Sequence, residues 1–395
     1  MVSLSGLNRR DGGMTMQYRK LGNSGLSVSA LGFGCMRLPV SKNGDAGVNE
    51  SEACRMIRYA IDSGVNYIDT AYNYHGRQGE IAVGKALADG YREKVFLTTK
   101  CPVWLLESPR DFDKCLSEQL KKLETDYIDF YLLHSLNEDL WDKAKKLKVL
   151  DCMDNARTRG LIRHIGFSFH DTFDVFREIV DSYEWTLTLI HLNYVDDYYQ
   201  AGLSGMKYAS SKGLGVVIME PLRGGKLAGN VPRDVQAVWD KAKVKRSPAE
   251  WGLRWVWNHP EVSCVLSGMS SMDQVIENVH IANKAVPNSL TDDDLRLIAQ
   301  VTSIYKDRIK LPCTECNYCV PCPNNVAIPD IFAIYNDFFA YGAKDSFREN
   351  YEYLKKVNAH PEACIECKKC EDLCPQHLPV THHLKEAKAL FEGVD

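Results

Sequence analysis

The 395-residue chain has no uninterrupted apolar run near the roughly 18 residues that a membrane-crossing helix needs. Its first sixteen residues form a polar extension, with Arg9, Arg10 and Asp11 where a secretory leader would carry its apolar core. The sequence therefore predicts neither export nor membrane insertion, and a cytoplasmic location. A basic surplus is missing too: the net charge is −4, which speaks against a nucleic-acid footprint. The first long apolar strand candidate ends Gly32-Phe33-Gly34-Cys35-Met36, without the Gly-x-Gly-x-x-Gly that an open doubly wound sheet would place there. No low-complexity linker divides the chain. What it does have in excess is cysteine: 14 residues, eight of them between Cys313 and Cys374. Acidity gathers in the same tail, where residues 311–395 carry −5 against +1 for all the rest.

Behind a hairpin-like lead (Tyr18 to Val28), eight apolar runs alternate with helical patterns: Ala30 to Met36, Asn66 to Thr70, Val95 to Lys100, Tyr127 to His134, His164 to Phe169, Leu187 to Tyr194, Gly215 to Leu222 and Ser263 to Gly268. Each run is continuously apolar, as strands buried on both faces are. Eight such strands over about 250 residues predict an α/β fold, a closed parallel (β/α)8 TIM barrel. We expect four segments: an unstructured extension over 1–16, the barrel over 17–289, a linking helix over 290–310 capped by Thr291, and an α-rich di-cluster ferredoxin-like domain over 311–395.

Barrel chemistry sits at the C-terminal ends of the strands. There the second strand ends in Asp69, with Tyr74 just beyond it, the third ends in Lys100 and the fourth in His134. Taken singly, each has an ordinary reading as a turn cap or a satisfied core residue. Together they converge on one rim and suit proton delivery to a carbonyl oxygen. A phenol is a weak acid unless a cation favours its phenolate; Lys100 supplies one, Asp69 keeps it charged, and His134 orients the substrate oxygen.

At this point the chain resembles the aldo-keto reductase family over residues 17 to about 285. The motifs that carry the resemblance are Tyr18-Arg19-Lys20-Leu21-Gly22, Gly32-Phe33-Gly34, Asp69-Thr70-Ala71-x-x-Tyr74, Lys100 and Leu132-Leu133-His134. Gly166-Phe167-Ser168, Pro221-Leu222-Arg223-Gly224-Gly225, Ser267-Gly268 and Glu277-Asn278 complete the set. The resemblance implies a reductase of aldehydes or ketones that uses NAD or NADP, with Asp69, Tyr74, Lys100 and His134 as its tetrad. It also implies cofactor contacts at Ser168, His191, Tyr194, Pro221, Leu222, Gly224, Gly268, Ser270, Gln274, Glu277 and Asn278. His191 stands where the family pattern has a Gln, and Tyr194 fits the nicotinamide-stacking position. Gly268 and Gln274 stand where a Lys and an Arg would grip a 2′-phosphate, which favours NAD. Trp104, Met36 and Tyr198 are candidate substrate-lining residues.

In the tail, Cys313, Cys316, Cys319 and Cys322 recur every three residues, and Cys364, Cys367, Cys370 and Cys374 follow the C-x2-C-x2-C-x3-C-P spacing of bacterial-type ferredoxins. Two [4Fe-4S] clusters are expected. The first would use Cys313, Cys316, Cys319 and Cys374, the second Cys364, Cys367, Cys370 and Cys322. Zinc and disulfides compete, but Cys-Pro endings favour clusters and the absence of a leader disfavours disulfides. Oxygen-labile clusters lead us to expect an anaerobe. The aromatics between the two runs are expected to pack the tail onto the barrel.

These halves differ in electron count, since hydride moves two electrons together and clusters pass one at a time. One resolution is a flavin that splits the pair; another is clusters that are structural or sense oxygen; a third is a non-catalytic or flavin-linked electron-transfer subunit. The intact tetrad favours a working carbonyl reductase or alcohol dehydrogenase, with a small carbonyl or alcohol substrate. A ferredoxin or flavoprotein is the expected redox partner, and the tail's negative charge suits a basic one.

Overall fold

The computed structural model describes residues 15–41, 47–229, 231–313, 318–342, 344–374 and 376–393. Among these, β1 (Tyr18–Lys20) and β2 (Ser27–Ser29) pair antiparallel as the lead hairpin. Eight further strands close into a parallel barrel: β3 (Leu31–Gly34), β4 (Tyr67–Asp69), β5 (Phe96–Cys101), β6 (Ile128–Leu136), β7 (Ile162–Phe169), β8 (Leu187–His191), β9 (Gly215–Met219) and β10 (Val262–Gly268). Closure comes from β10, which pairs with β9 on one side and β3 on the other.

The surrounding helices form because their apolar residues recur at three- and four-residue spacing. Glu50–Asp62 buries Ala53, Met56, Ile57, Ala60 and Ile61 on one face, capped by Asn49, whose side chain accepts from the Glu52 N–H. Pro109–Lys122 begins with a proline and a reciprocal Ser108–Asp111 capping box. These faces and the outward strand residues form one core between wall and helices. A second core fills the barrel itself, with Leu21 and Val28 of the hairpin joining Tyr67, Phe130, Leu132 and Val217. Gly22 explains how the hairpin closes that end. Its φ is +50°, and a Cβ there would lie 2.3 Å from the Gly213 carbonyl oxygen. With the N-terminal end plugged, the opposite end is left for chemistry.

Two strands stop before their apolar runs do. β8 ends at His191 because the Asn193 side-chain oxygen accepts the N–H groups of Val195 and Asp196, both at 3.0 Å, and folds the chain into a turn. β9 ends at Met219 because Glu220 adopts φ +55° and Pro221 has no N–H for the ladder.

The chain divides into two compact units: residues 1–224 with 249–290, and residues 225–248 with 291–395. The second unit thus takes a segment that follows β9, rather than beginning near residue 290. Ion pairs hold that segment: Arg308 on Asp234 (2.6 Å), Arg246 on Asp294 (2.7 Å), and Lys226 on Asp337. Asp294 also closes a capping box with Thr291 at the head of the helix Asp292–Asp307. In the tail, helices Ile328–Tyr341, Lys344–Lys356 and Val380–Gly393 bury Ile331, Phe332, Tyr335, Phe347, Tyr351 and Phe391 together. Phe391 stacks on Tyr351 at 4.0 Å and on Phe347 at 4.4 Å. The aromatic stripe is therefore the core of the unit itself, which has no sheet among its described residues.

Candidate active site

The register of the barrel brings three strand ends together: Asp69 lies opposite Gly34 and Thr98, and Lys100 opposite Leu132, two residues before His134. Asp69, Lys100 and His134 are 3%, 1% and 7% exposed. A charge so buried must be paired. The Lys100 ammonium donates to Asp69 Oδ1 (2.7 Å), to the Thr70 carbonyl (2.7 Å) and to the Tyr74 hydroxyl oxygen (3.4 Å). Because Lys100 donates to the phenol oxygen, the phenol's own proton stays free to be given away. Tyr74 is delivered by a tight loop in which His75, Gly76 and Arg77 all have positive φ. The His134 ring stands 6.2 Å from that of Tyr74 and 5.1 Å from that of Trp104.

Electrostatics assign the protons. Burial favours the neutral amine of Lys100, but Asp69 and then Tyr74 more than offset it, so the ammonium is held above the ordinary lysine range. Asp69 is pushed above the usual carboxylate range by burial, with Lys100 opposing. Burial also raises the Tyr74 phenol, against the pull of Lys100, so it enters neutral pH protonated. His134 falls well below the ordinary histidine range through burial and the nearby Lys100 charge; its imidazole is neutral. Its Nδ1 and Asp69 Oδ2 are buried with no hydrogen-bond partner among the described residues. The arrangement therefore has a protonated donor, a cation beneath it and a neutral imidazole beside it, as reduction of a carbonyl requires.

Around this centre the other candidates fall into two groups. Some serve the scaffold: the Ser168 hydroxyl accepts the Ser135 N–H (2.7 Å), fixing the backbone just past His134, and Asn278 donates to Ser267 (2.9 Å) between helix and β10. Tyr194 is 2% exposed and edge-on to Trp255, which leaves its ring little free face for stacking. Pro221 is buried, and Leu222 packs toward Gly252. Others lie on the rim. Glu277 is exposed on the helix Met272–Ala282, and the Ser270 N–H and hydroxyl donate to Gln274 Oε1 at the start of that helix. His191 is half-buried and bonds to Asp196 at 3.1 Å, which Arg223 also engages. Despite its burial, Asp196 is held well below the usual carboxylate range by His191 and Arg223. An ionised carboxylate only accepts, so His191 donates to it through Nε2, and the Asn193 side-chain nitrogen lies 3.1 Å from the same ring nitrogen. Of the substrate-lining candidates, Trp104 is half-buried beside His134, while Met36 and Tyr198 are 55% and 77% exposed.

Sequence reasoning missed Asp196 and Arg37. Arg37 spans Gly224 and Gly268: Cβ atoms built there would meet its Nη2 at 2.7 Å and its Cδ at 3.2 Å. Glu220 lies 3.8 Å from its guanidinium. The available signal was an arginine three residues past Gly34, on the first loop of the mouth.

In the second unit, a cavity of about 210 Å³ is walled by Cys319, Cys322, Cys364, Cys367 and Cys370. Cys313 and Cys374 are partly buried against the unit's core, and Cys316 lies outside the described residues. No disulfide joins any two of the thirteen described cysteines. Tetrahedral zinc, with Zn–S near 2.3 Å, draws its sulfurs to roughly 3.8 Å of one another. Among the described residues no three cysteine sulfurs lie within 4.8 Å of one another.

A closed parallel barrel with a buried ion pair under a tyrosine at its open mouth defines a class: barrel oxidoreductases that act on carbonyls. The aldo/keto reductase family model matches residues 30–302, and a 4Fe-4S dicluster domain model matches residues 312–378. The chain belongs to the aldo/keto reductase family, is an NAD(P)H oxidoreductase acting on a small molecule, and carries a 4Fe-4S ferredoxin-type domain. It is 29% identical over 287 residues to L-galactose dehydrogenase from Arabidopsis thaliana, covering 67% of this chain and 87% of that one. It is 25% identical to the NADH-specific methylglyoxal reductase of Escherichia coli, over 72% of this chain and 98% of the relative. The solved holo form of aldo-keto reductase AKR11C1 from Bacillus halodurans superposes with a TM-score of 0.61 at 28% identity, covering 72% and 96% of the two chains. No helix among the described residues is long and apolar enough to cross a membrane.

Proposed function

We propose that the barrel interconverts an aldehyde or ketone and its alcohol by hydride transfer with a nicotinamide, and that the tail holds two [4Fe-4S] clusters that pass single electrons. The observation that carries the first part is the Lys100 ammonium, bonded at once to Asp69 and to the Tyr74 oxygen. When bound, NAD(H) would supply or accept the hydride. In reduction, Tyr74 gives its proton to the carbonyl oxygen, Lys100 stabilises the phenolate left behind, Asp69 holds Lys100 in place, and neutral His134 fixes the oxygen's position. Carbonyl, hydride and proton together make the alcohol, and the phenol is reprotonated from solvent.

The rim suits the cofactor's parts. His191, held through Nε2 by Asp196, stands where the family pattern places the carboxamide contact. Arg37, beside Gly224 and Gly268, is a cation for a diphosphate. Ser270 and Gln274, bonded to each other and uncharged, bring no cation to a 2′-phosphate, which supports NADH over NADPH. For the clusters, Cys322 lines one cavity with Cys364, Cys367 and Cys370, as the crossing-over of the fourth cysteine requires, with Cys319 of the other proposed set (Cys313, Cys316, Cys319 and Cys374) on the same wall. The test of the barrel is Tyr74→Phe. NADH-dependent carbonyl reduction should fall about 10²- to 10⁴-fold, the usual share of a general acid, with NADH affinity and iron content unchanged. Retained turnover would remove Tyr74 from the mechanism.

A further inference from the structure

We propose that the cavity walled by the second cysteine run is a docking port for an acidic single-electron carrier protein, selected by Lys368 and Lys369. This rests on reading that cavity as a cluster site and names the partner which that reading leaves open. The charges lining the cavity are Lys368 and Lys369; no carboxylate is among its lining residues. None of the acidic residues of the same stretch lines the cavity, though Glu371 is bonded to Thr381, which does. Glu366 pairs with Lys385 at 2.8 Å, and Glu371 accepts from the Thr381 N–H (2.9 Å) and hydroxyl (2.6 Å). Asp372 is exposed but does not line the cavity.

Apolar side chains complete the port. Ile365 and Leu373 both line the cavity and are 63% and 57% exposed, and Cys367 between them is exposed as well. A ligand cysteine at the surface gives the short, solvent-edge approach that electron transfer between proteins needs. Two exposed apolar residues flanked by lysines suit a small transient contact, and redox encounters of that kind bury less than about 1,200 Å².

The tail's net charge of −5 points the other way, toward a basic partner. Distance decides between them. Charges farther apart than about 8 Å are largely screened at physiological ionic strength, so the groups on the cavity's own lining weigh more than the rest of the tail, and the charged ones are Lys368 and Lys369, with Glu371 offsetting part of Lys368. The reaction balances simply: the reduced carrier loses one electron, the cluster gains it, and no bond or proton moves. A hydride donor cannot substitute, since it delivers electrons in pairs.

The test is anaerobic stopped-flow mixing of the full chain with a reduced acidic ferredoxin, following cluster bleaching near roughly 400 nm. For the wild type, the second-order rate constant should fall about tenfold or more as salt rises from about 20 to about 500 mM. Lys368→Glu with Lys369→Glu should lose a similar factor at low salt, while reduced methyl viologen, a small cation, should reduce the variant at least as fast as the wild type. A rate indifferent to salt and to charge reversal, or one that rises with salt, would overturn the proposal. Iron analysis separates the two levels. Wild type without iron sinks the cluster reading and the port with it; about eight irons per chain with a charge-indifferent rate sinks the port alone. Should charge reversal cost the protein its iron, the wild-type salt dependence and a Lys368→Gln, Lys369→Gln pair decide.

Discussion

Replacing Lys100 by methionine removes a single cation from the centre of the mouth while keeping most of the side chain's volume. Two consequences can be sized from the distances. The first is catalytic. With Lys100 Nζ 3.4 Å from the Tyr74 oxygen, a full phenolate gains about 5 kcal/mol from the ammonium at an effective dielectric near 20. The transition state carries only part of that charge, so turnover should fall about 10²- to 10⁴-fold. The second is structural. Asp69 loses its partner in a site where it is 3% exposed, and breaking a buried pair in this way costs about 3–5 kcal/mol. The cost depends on pH, with a sign fixed by Asp69. Burial already raises its carboxyl and Lys100 is the opposing influence, so the variant raises it further. A group raised in the folded state stabilises below its unfolded value and loses that contribution as pH rises. Denaturant unfolding followed by tryptophan fluorescence should therefore show a small deficit near pH 4 that widens toward pH 8. Adding Asp69→Asn should recover much of the stability and none of the turnover. A Lys100→Met variant with more than a tenth of wild-type turnover, or with a deficit that does not change with pH, would refute the reasoning.

Asp196→Ala should raise the KM for NADH by about tenfold with kcat little changed, because His191 loses the acceptor that holds its ring in place; steady-state kinetics checks this. Cys370→Ser should lower iron from about eight to about four per chain if each cysteine set holds a cubane, as iron analysis and electron paramagnetic resonance would show. Asp294→Ala removes both the buried partner of Arg246 and a helix capping box, and should destabilise the second unit by about 3–5 kcal/mol, read by hydrogen exchange over the helix Asp292–Asp307.

The barrel could be read in advance because it depends on local rules. Eight continuously apolar runs alternating with amphipathic helices leave few other topologies, and the strand-end rule picks Asp69, Lys100 and His134 from the chain. Tyr74 followed from Asp69 by spacing. What escaped depends on contacts that no local pattern encodes. Asp196 matters only because the Asn193 turn swings it back under His191 and Arg223. Arg37 reads as an ordinary loop residue until two glycines from distant parts of the chain are found beneath it. The segment 225–248 looks like part of the barrel's alternation, yet it joins the second unit through ion pairs between residues 48, 74 and 111 positions apart. Tyr194 sits where the family pattern places a stacking ring, and its burial edge-on to Trp255 of the helix Pro248–Trp257 could not be read from sequence.

The central claim is that electrons cross the barrel mouth as a hydride, not singly through the clusters. Turnover of an aldehyde with NADH deuterated on the transferred face of C4, followed by mass spectrometry of the alcohol, tests it directly. Direct transfer places one deuterium on the carbinol carbon. An alcohol whose new C–H hydrogen comes from solvent would mean that the electrons travelled another route, and the assigned role of the barrel would fall.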